Sequence, residues 1–456
     1  MRLKILIPLF CAFLASCDGG NSSEIPTESK KSQQEINRTL IPLPNRDAPV
    51  DPNVAELLKK TATELGSDLK NPKLWVVHGS VLFANGYYPE SADALGKAIS
   101  INREMPQATY LMATALWRTN KQEEAIDALK LALEIAPEYD IGWRLLAEWH
   151  LDRGETNFAE VAARRAFDLK NGRIGTRYVL CQSLMDDDKY EEAVYILEQA
   201  LSTDKAPPWI YKLAANCYRQ LGENQKAEQA LEKAGPPFKD WPDSMFKHIP
   251  NLIAGKAELT EYALHLFKNA GSERAMPFLV RAFKINPENT DLRTVLSMAL
   301  QNAGQLEQAV QVLKELHGEP NAMYWKQCAN VSIEQEELIK ASEYITEAIA
   351  LAPSDPNAHD IAAEIALKQD NKKKAIEHWG KAGMFYNETE RWDRAEISLA
   401  YAIKNGADDA DTLRAIGLAQ VKTGHVLQAN ITIKKLLEKD PTDRVAIDLQ
   451  SMLSKE

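Results

Sequence analysis

The chain has 456 residues, 45% of them hydrophobic and 26% charged, with 21 Gly, 22 Pro, 5 Cys and a formal net charge of −11. That apolar and aromatic content excludes a chain disordered throughout, and five cysteines are too few for a disulfide scaffold. The acidic balance argues against nucleic-acid binding, which needs a clustered basic surface to neutralise phosphates, and leaves a protein or a glycan as the expected partner.

The first element in the chain is a leader. Residues 1–17 read MRLKILIPLFCAFLASC, with two cations (Arg2, Lys4), an apolar run from Ile5 to Leu14 and small residues before a cysteine. The apolar run is too short to span a bilayer and has the layout of a secretory signal. Leu14-Ala15-Ser16-Cys17 resembles the bacterial lipobox, in which cleavage before the cysteine leaves a lipid-modified N-terminus. The resemblance implies removal of 1–16 and acylation, palmitate included, of Cys17. Several acyl chains, at ~0.8 kcal/mol per buried methylene, anchor a protein stably where one does not. The protein is therefore expected to be a lipoprotein facing the periplasm. Asp18 is similar to a signal that retains lipoproteins in the inner membrane, with the outer membrane left open. Residues 18–50 have no aromatic and many Ser, Pro, Asn, Glu and Gln. They are expected to be a disordered tether, holding the folded part roughly 30 Å from the bilayer on average.

A period of 34 residues follows. Ser91, Ala125, Ala159, Ala193 and Ala227 keep it four times running. Four residues after each comes Leu95, Leu129, Ala163, Leu197 or Leu231, and seven after each comes an alanine (Ala98, Ala132, Ala166, Ala200, Ala234). The pattern resembles the tetratricopeptide repeat, a pair of antiparallel helices. The fullest matches are NPKLWVVHGSVLFANGYYPESADALGKAI, with Trp75, Gly79 and Gly86, and KQEEAIDALKLALEIAP, ending at Pro137. Small residues recur where helices touch, and proline after the second helix stops it.

After Ala234 the phase breaks in GPPFKDWPDSMFKHIPNLIAGKAE, residues 235–258, which contains four prolines. It resumes at Ala275-Leu279-Ala282, Ala309-Leu313, Ala341-Ile345-Ala348 and Ala375. Around 374–404 a second register overlaps the first, Trp379-Ala382-Gly383-Tyr386 with Ala395-Leu399-Ala402, so that one helix is unpaired or shared. Val445, Leu449 and Met452 suit a closing cap, and residues 54–66 an opening one. The resemblance implies an all-α fold, a right-handed superhelical solenoid of helix-turn-helix repeats. Two arrays, 51–234 and 259–456, are separated by the Pro-rich insert. Units that bury a core only against neighbours leave no room for a catalytic domain, and the protein is expected not to be an enzyme.

Metal and haem chemistry find no support, because there is no CxxCH and no histidine pair at i, i+4. His78 and His150 fall at positions that pack. Cys181 and Cys217, on first helices of adjacent repeats, either bridge or serve as small packing residues. No cofactor is expected.

In this family the concave face is lined by positions 2, 5, 9 and 12 of each first helix. In the first five repeats five of those twenty residues are aromatic (Phe83, Tyr110, Trp117, Tyr178, Trp209), and their charge is +3 from Lys73, Arg144, Lys212 and Arg219 against Glu148. With Gln182 and Asn216 these residues point to a partner-binding groove of rigid aromatic anchors among cations and amides. Alternatively, some of the aromatics seal neighbouring helices. Lys212 with Asn216, and Lys326 with Asn330, resemble half of the family's carboxylate clamp, whose remaining Asn is replaced by Glu261 and Ile361. The second array has Asp291, Asp360, Glu364 and Asp411 against Lys326 and Arg414 at equivalent positions. Phe238, Trp241 and Phe246 of the insert form either a wedge over the joint or an exposed contact. The expected function is a lipid-anchored scaffold that holds envelope proteins or peptides and touches the membrane only through its N-terminal lipid. The alternative is a glycan-handling lipoprotein of exopolysaccharide export, since aromatics beside Arg and Gln also suit acidic sugars.

Overall fold

The computed structural model describes residues 41–45, 49–169, 173–202, 206–235, 243, 245–314 and 318–453. The leader, Cys17, Asp18 and residues 18–40 of the expected tether lie outside these, as do Phe238 and Trp241. The end of the expected tether is packed: Ile41 is buried, and the Pro42 carbonyl lies 2.8 Å from His78 Nε2.

The described residues form only helices and connecting turns. The opening helix is α1 (Pro52–Ser67), followed by the pairs α2 (Pro72–Ala84) and α3 (Tyr88–Ile101), α4 (Pro106–Arg118) and α5 (Gln122–Ile135), α6 (Asp140–Asp152) and α7 (Thr156–Leu169), α8 (Ile174–Asp186) and α9 (Tyr190–Leu201), and α10 (Pro208–Gln220) and α11 (Asn224–Glu232). After a short 3-10 turn at Ile249–Leu252 come α12 (Lys256–Ala270) and α13 (Ser272–Ile285), α14 (Thr290–Asn302) and α15 (Leu306–Lys314), α16 (Ala322–Glu334) and α17 (Leu338–Leu351), and α18 (Pro356–Lys368). The chain continues through α19 (Lys372–Glu388), α20 (Trp392–Lys404), α21 (Ala410–Lys422) and α22 (Val426–Lys439) to α23 (Arg444–Leu453). The fold is an all-α repeat solenoid.

Local chemistry sets the helix ends. Proline opens α2, α4, α10 and α18, where its missing N–H has no intrahelical partner to lose. Asn71, Asn289, Asn321, Asp355 and Asp409 accept a backbone N–H of the helix they cap. Between the two helices of a repeat one residue turns left-handed, and it too keeps the period: Gly86, Asn120, Gly154, Asp188 and Gly222 have φ of 84°, 63°, 72°, 56° and 76°. The 34-spaced Ser91, Ala125, Ala159, Ala193 and Ala227 are all buried. Gly79 allows Leu95 to lie against its helix, since a Cβ there would sit 2.8 Å from Leu95 Cγ.

Two compact units divide the chain. The first is drawn from Met1–Pro49, Glu56–Ala200 and Asp243–Ile249, the second from Val50–Ala55, Leu201–Pro242 and Pro250–Glu456. The α10–α11 repeat thus counts with the second unit, and the insert contributes to both. In the second unit the overlapping registers have a simple cause: α19 is 17 residues long and serves two repeats. Its Ala375 and Trp379 pack with Ala363 and Ala366 of α18, while its Ala382 and Tyr386 pack with Ala395 and Leu399 of α20. The closing cap turns by one residue from expectation. Ala446 and Leu449 cover Leu413 and Leu436, whereas Val445 and Met452 are exposed.

Candidate peptide-binding groove

In the first unit the expected groove positions Phe83, Gln107 and Tyr110 are covered by the chain itself. Asp243 lies beside α4, where its carboxylate accepts the Tyr110 hydroxyl at 2.7 Å and also the Tyr139 hydroxyl. The same carboxylate accepts the Met245 N–H at 2.8 Å, which fixes the turn that follows it. Gln107 Nε2 donates to the Met245 carbonyl at 3.1 Å. Phe246 stacks on Phe83 with ring centroids 5.6 Å apart and lies 5.3 Å from Tyr110, and with Ile249 it covers the core patch of Leu95, Ile99, Ala108 and Leu111. Tyr110, only 2% exposed, has its phenol held well above the ordinary range by burial and by the neighbouring Asp243 charge.

The other expected groove residues of this unit form two further clusters. Trp117 stacks flat on Trp149 at 4.5 Å. Arg144 is buried and donates to Glu148 at 2.5 Å, and burial followed by the Glu148 charge raises the phenol of half-buried Tyr178. Gln182 is half-buried on the same helix as Tyr178. In the second unit Trp209 is a core residue of α10, while Lys212, Asn216 and Arg219 are exposed on that helix. The expected +3 face is therefore divided. The first unit holds Lys73, Arg144 and Glu148 of that set, and Asp243 adds a negative charge the repeat pattern does not contain.

Tyr139 and Asp243 are the members of this cluster that periodicity misses. Tyr139 stands at the N-cap position of α6 without a side-chain cap bond, and Asp243 lies in the insert.

Elsewhere the polar groups serve the fold. Lys326 of the partial clamp is paired with Asp355 at 2.5 Å; burial would raise that carboxyl, but Lys326 holds it below its usual range. Asp411 and Asp443 both bind Arg414, and Asp360 accepts the Ser398 hydroxyl at 2.7 Å. His78 bonds Thr61 at 2.8 Å as well as Pro42, and burial lowers its pKa. Cys181, Cys217 and Cys328 are buried free thiols, so the bridge between Cys181 and Cys217 is not formed. Burial pushes Cys217 and Cys328 up to about 11. Among the described residues no cluster of His, Cys, Asp or Glu fits a metal ion, and no helix is long and apolar enough to cross a membrane.

Known proteins resemble the chain in its repeats. It is 24% identical over 173 residues to TPR repeat-containing protein MJ1428 of Methanocaldococcus jannaschii, covering 37% of this chain and 30% of that one. To TPR repeat-containing protein YpiA of Bacillus subtilis it is 21% identical over 350 residues, covering 73% of this chain and 80% of the other. Among solved structures it is similar to a tetratricopeptide repeat protein from Parabacteroides merdae, at 13% identity and a TM-score of 0.36, over 60% of this chain and 99% of that one. Tetratricopeptide-repeat family models match residues 76–140, 184–244 and 272–321, so these segments of the chain are similar to tetratricopeptide repeats.

Proposed function

We propose that the protein is a lipid-anchored, non-catalytic scaffold of the bacterial envelope that binds protein partners through the concave face of its first unit. The observation that carries this reading is the seated segment at 243–249. Side chains from α2, α4 and the loop before α6 hold a non-repeat stretch of chain by one carboxylate, one ring and one carbonyl. A face that grips such a stretch within the molecule has the chemistry to grip one from another protein. The lipobox-like Leu14–Cys17 supports anchoring, and Asp18 supports the inner membrane.

Affinity capture with the full chain tests the groove. A Trp117→Ala/Tyr178→Ala variant, changed at two half-buried positions, is expected to lose a subset of the partners held by the wild type, and identical partner sets overturn the groove reading. Fractionation tests the anchor: Cys17→Ser is expected to move the protein from the membrane pellet to the soluble fraction, and retention in the pellet overturns lipidation.

A further inference from the structure

The contacts around residues 243–249 define a recognition rule. Two hydroxyls, from Tyr110 and Tyr139, converge on one carboxylate, and three residues later a phenylalanine enters a socket walled by Phe83 and Tyr110. Gln107 meets the main-chain carbonyl between them, a contact indifferent to side-chain identity. The carboxylate receives two hydroxyl donors and the Met245 N–H, so an acceptor-only acidic side chain is selected by geometry and hydrogen bonding. The ring supplies a large apolar surface to the patch of Leu95, Ile99, Ala108 and Leu111. Lys247 and His248, which follow the phenylalanine, are exposed, while Ile249 packs on the same apolar patch, so the aspartate and the phenylalanine are the main selective positions and Ile249 adds apolar contact.

We propose that this socket is the receptor for a partner-protein segment carrying aspartate with phenylalanine three residues on, and that Asp243–Ile249 is its intramolecular competitor. The inference rests on the scaffold reading and deepens it by naming the partner's motif. A tethered ligand acts at an effective concentration of about 1 mM, so a free peptide of about 100 μM intrinsic affinity binds the intact protein roughly tenfold more weakly than a protein whose own segment is disabled. Only a partner with several contacts, or at high local concentration, displaces the segment.

The test uses the full chain and a fluorescein-labelled peptide of sequence WPDSMFKHIP in an anisotropy titration. Asp243→Ala/Phe246→Ala protein is expected to bind the peptide at least tenfold more tightly than wild type. Peptides with Ala in place of the Asp or the Phe are expected to lose at least tenfold on that variant. Tyr139→Phe added to the variant is expected to weaken binding severalfold, and far-UV circular dichroism checks that each protein is folded. If the double variant does not fold, Tyr139→Phe alone replaces it, weakening the internal contact and the peptide contact together. Wild-type protein with excess unlabelled peptide must then show protease cleavage near Lys247 that peptide-free protein resists. No binding to a folded variant, equal binding to both proteins, or no peptide-dependent cleavage overturns the proposal. If the peptide fails but the captured partners still depend on Trp117 and Tyr178, this inference falls and the scaffold reading stands.

Discussion

Arg293 is among the largest fully buried side chains of the protein, and its neighbours explain how a guanidinium is tolerated there. It donates to the carbonyls of Val312 and Pro287 and lies over the Phe283 ring at 4.9 Å. Those donors satisfy carbonyls near the ends of α13 and α15, so Arg293→Ala removes them and leaves a cavity. A loss of about 3 kcal/mol is expected, read from the urea midpoint. A pair of imidazoles, His359 buried and His378 half-buried, gives the protein an acid-sensitive point. His359 Nε2 donates to the Pro353 carbonyl, which leaves its Nδ1 to accept from His378 Nδ1 at 2.9 Å. Burial, then the His359 charge, pulls His378 from 6.5 to about 4. Between those values the unfolded imidazole carries a proton that the folded one refuses, so this contribution to stability is complete above pH 6.5 and declines as the pH falls toward 4. Melting temperature is expected to drop over that window in the wild type and to drop less in His378→Gln. Neither feature was legible beforehand, because both depend on which side chains meet after packing.

At the level of the helix pair, the sequence was informative where contact is local. In the first array the buried small residues, the left-handed turns and the prolines that open α2, α4 and α10 fall where a 34-residue period places them, since each repeat packs in the same way, whereas in the second array the left-handed turns at Gly304, Glu336, Asp370 and Glu390 are 32, 34 and 20 residues apart. The glycines against leucines are the most exacting of these positions. A Cβ on Gly383 would lie 2.2 Å from Leu399 Cγ, closer than the 2.8 Å at Gly79. Both Gly→Ala changes are expected to destabilise by roughly 1–3 kcal/mol, with Gly383 the larger, as measured by chemical denaturation. Gly154→Ala, at a turn with open space around it, is expected to cost only about 1 kcal/mol, from backbone strain alone. The two registers at 374–404 were visible as an overlap, but only packing assigned α19 to both. A long helix with two apolar faces satisfies both readings of the pattern.

Across the whole molecule, energy is shared between neighbours, so damage is expected to stay local. Removing residues 444–456 strips Ala446 and Leu449 from Leu413 and Leu436. Hydrogen exchange is then expected to rise in α21 and α22 and to remain unchanged in α2–α9; a uniform rise along the chain would contradict neighbour-only coupling. What the sequence determined by itself was the repeat: helix type, length and phase follow from residues a few turns apart, and those interactions recur often enough to be read. What only the tertiary structure decided was the content of the groove. Tyr110 and Asp243 are 133 residues apart, and no period links them. Five aromatics at groove positions looked alike in the pattern. Packing made Trp209 a core residue, turned Trp117 onto Trp149, and gave Phe83 and Tyr110 to a segment of the insert, because a side chain's role is set by what approaches its free face and not by its place in the repeat.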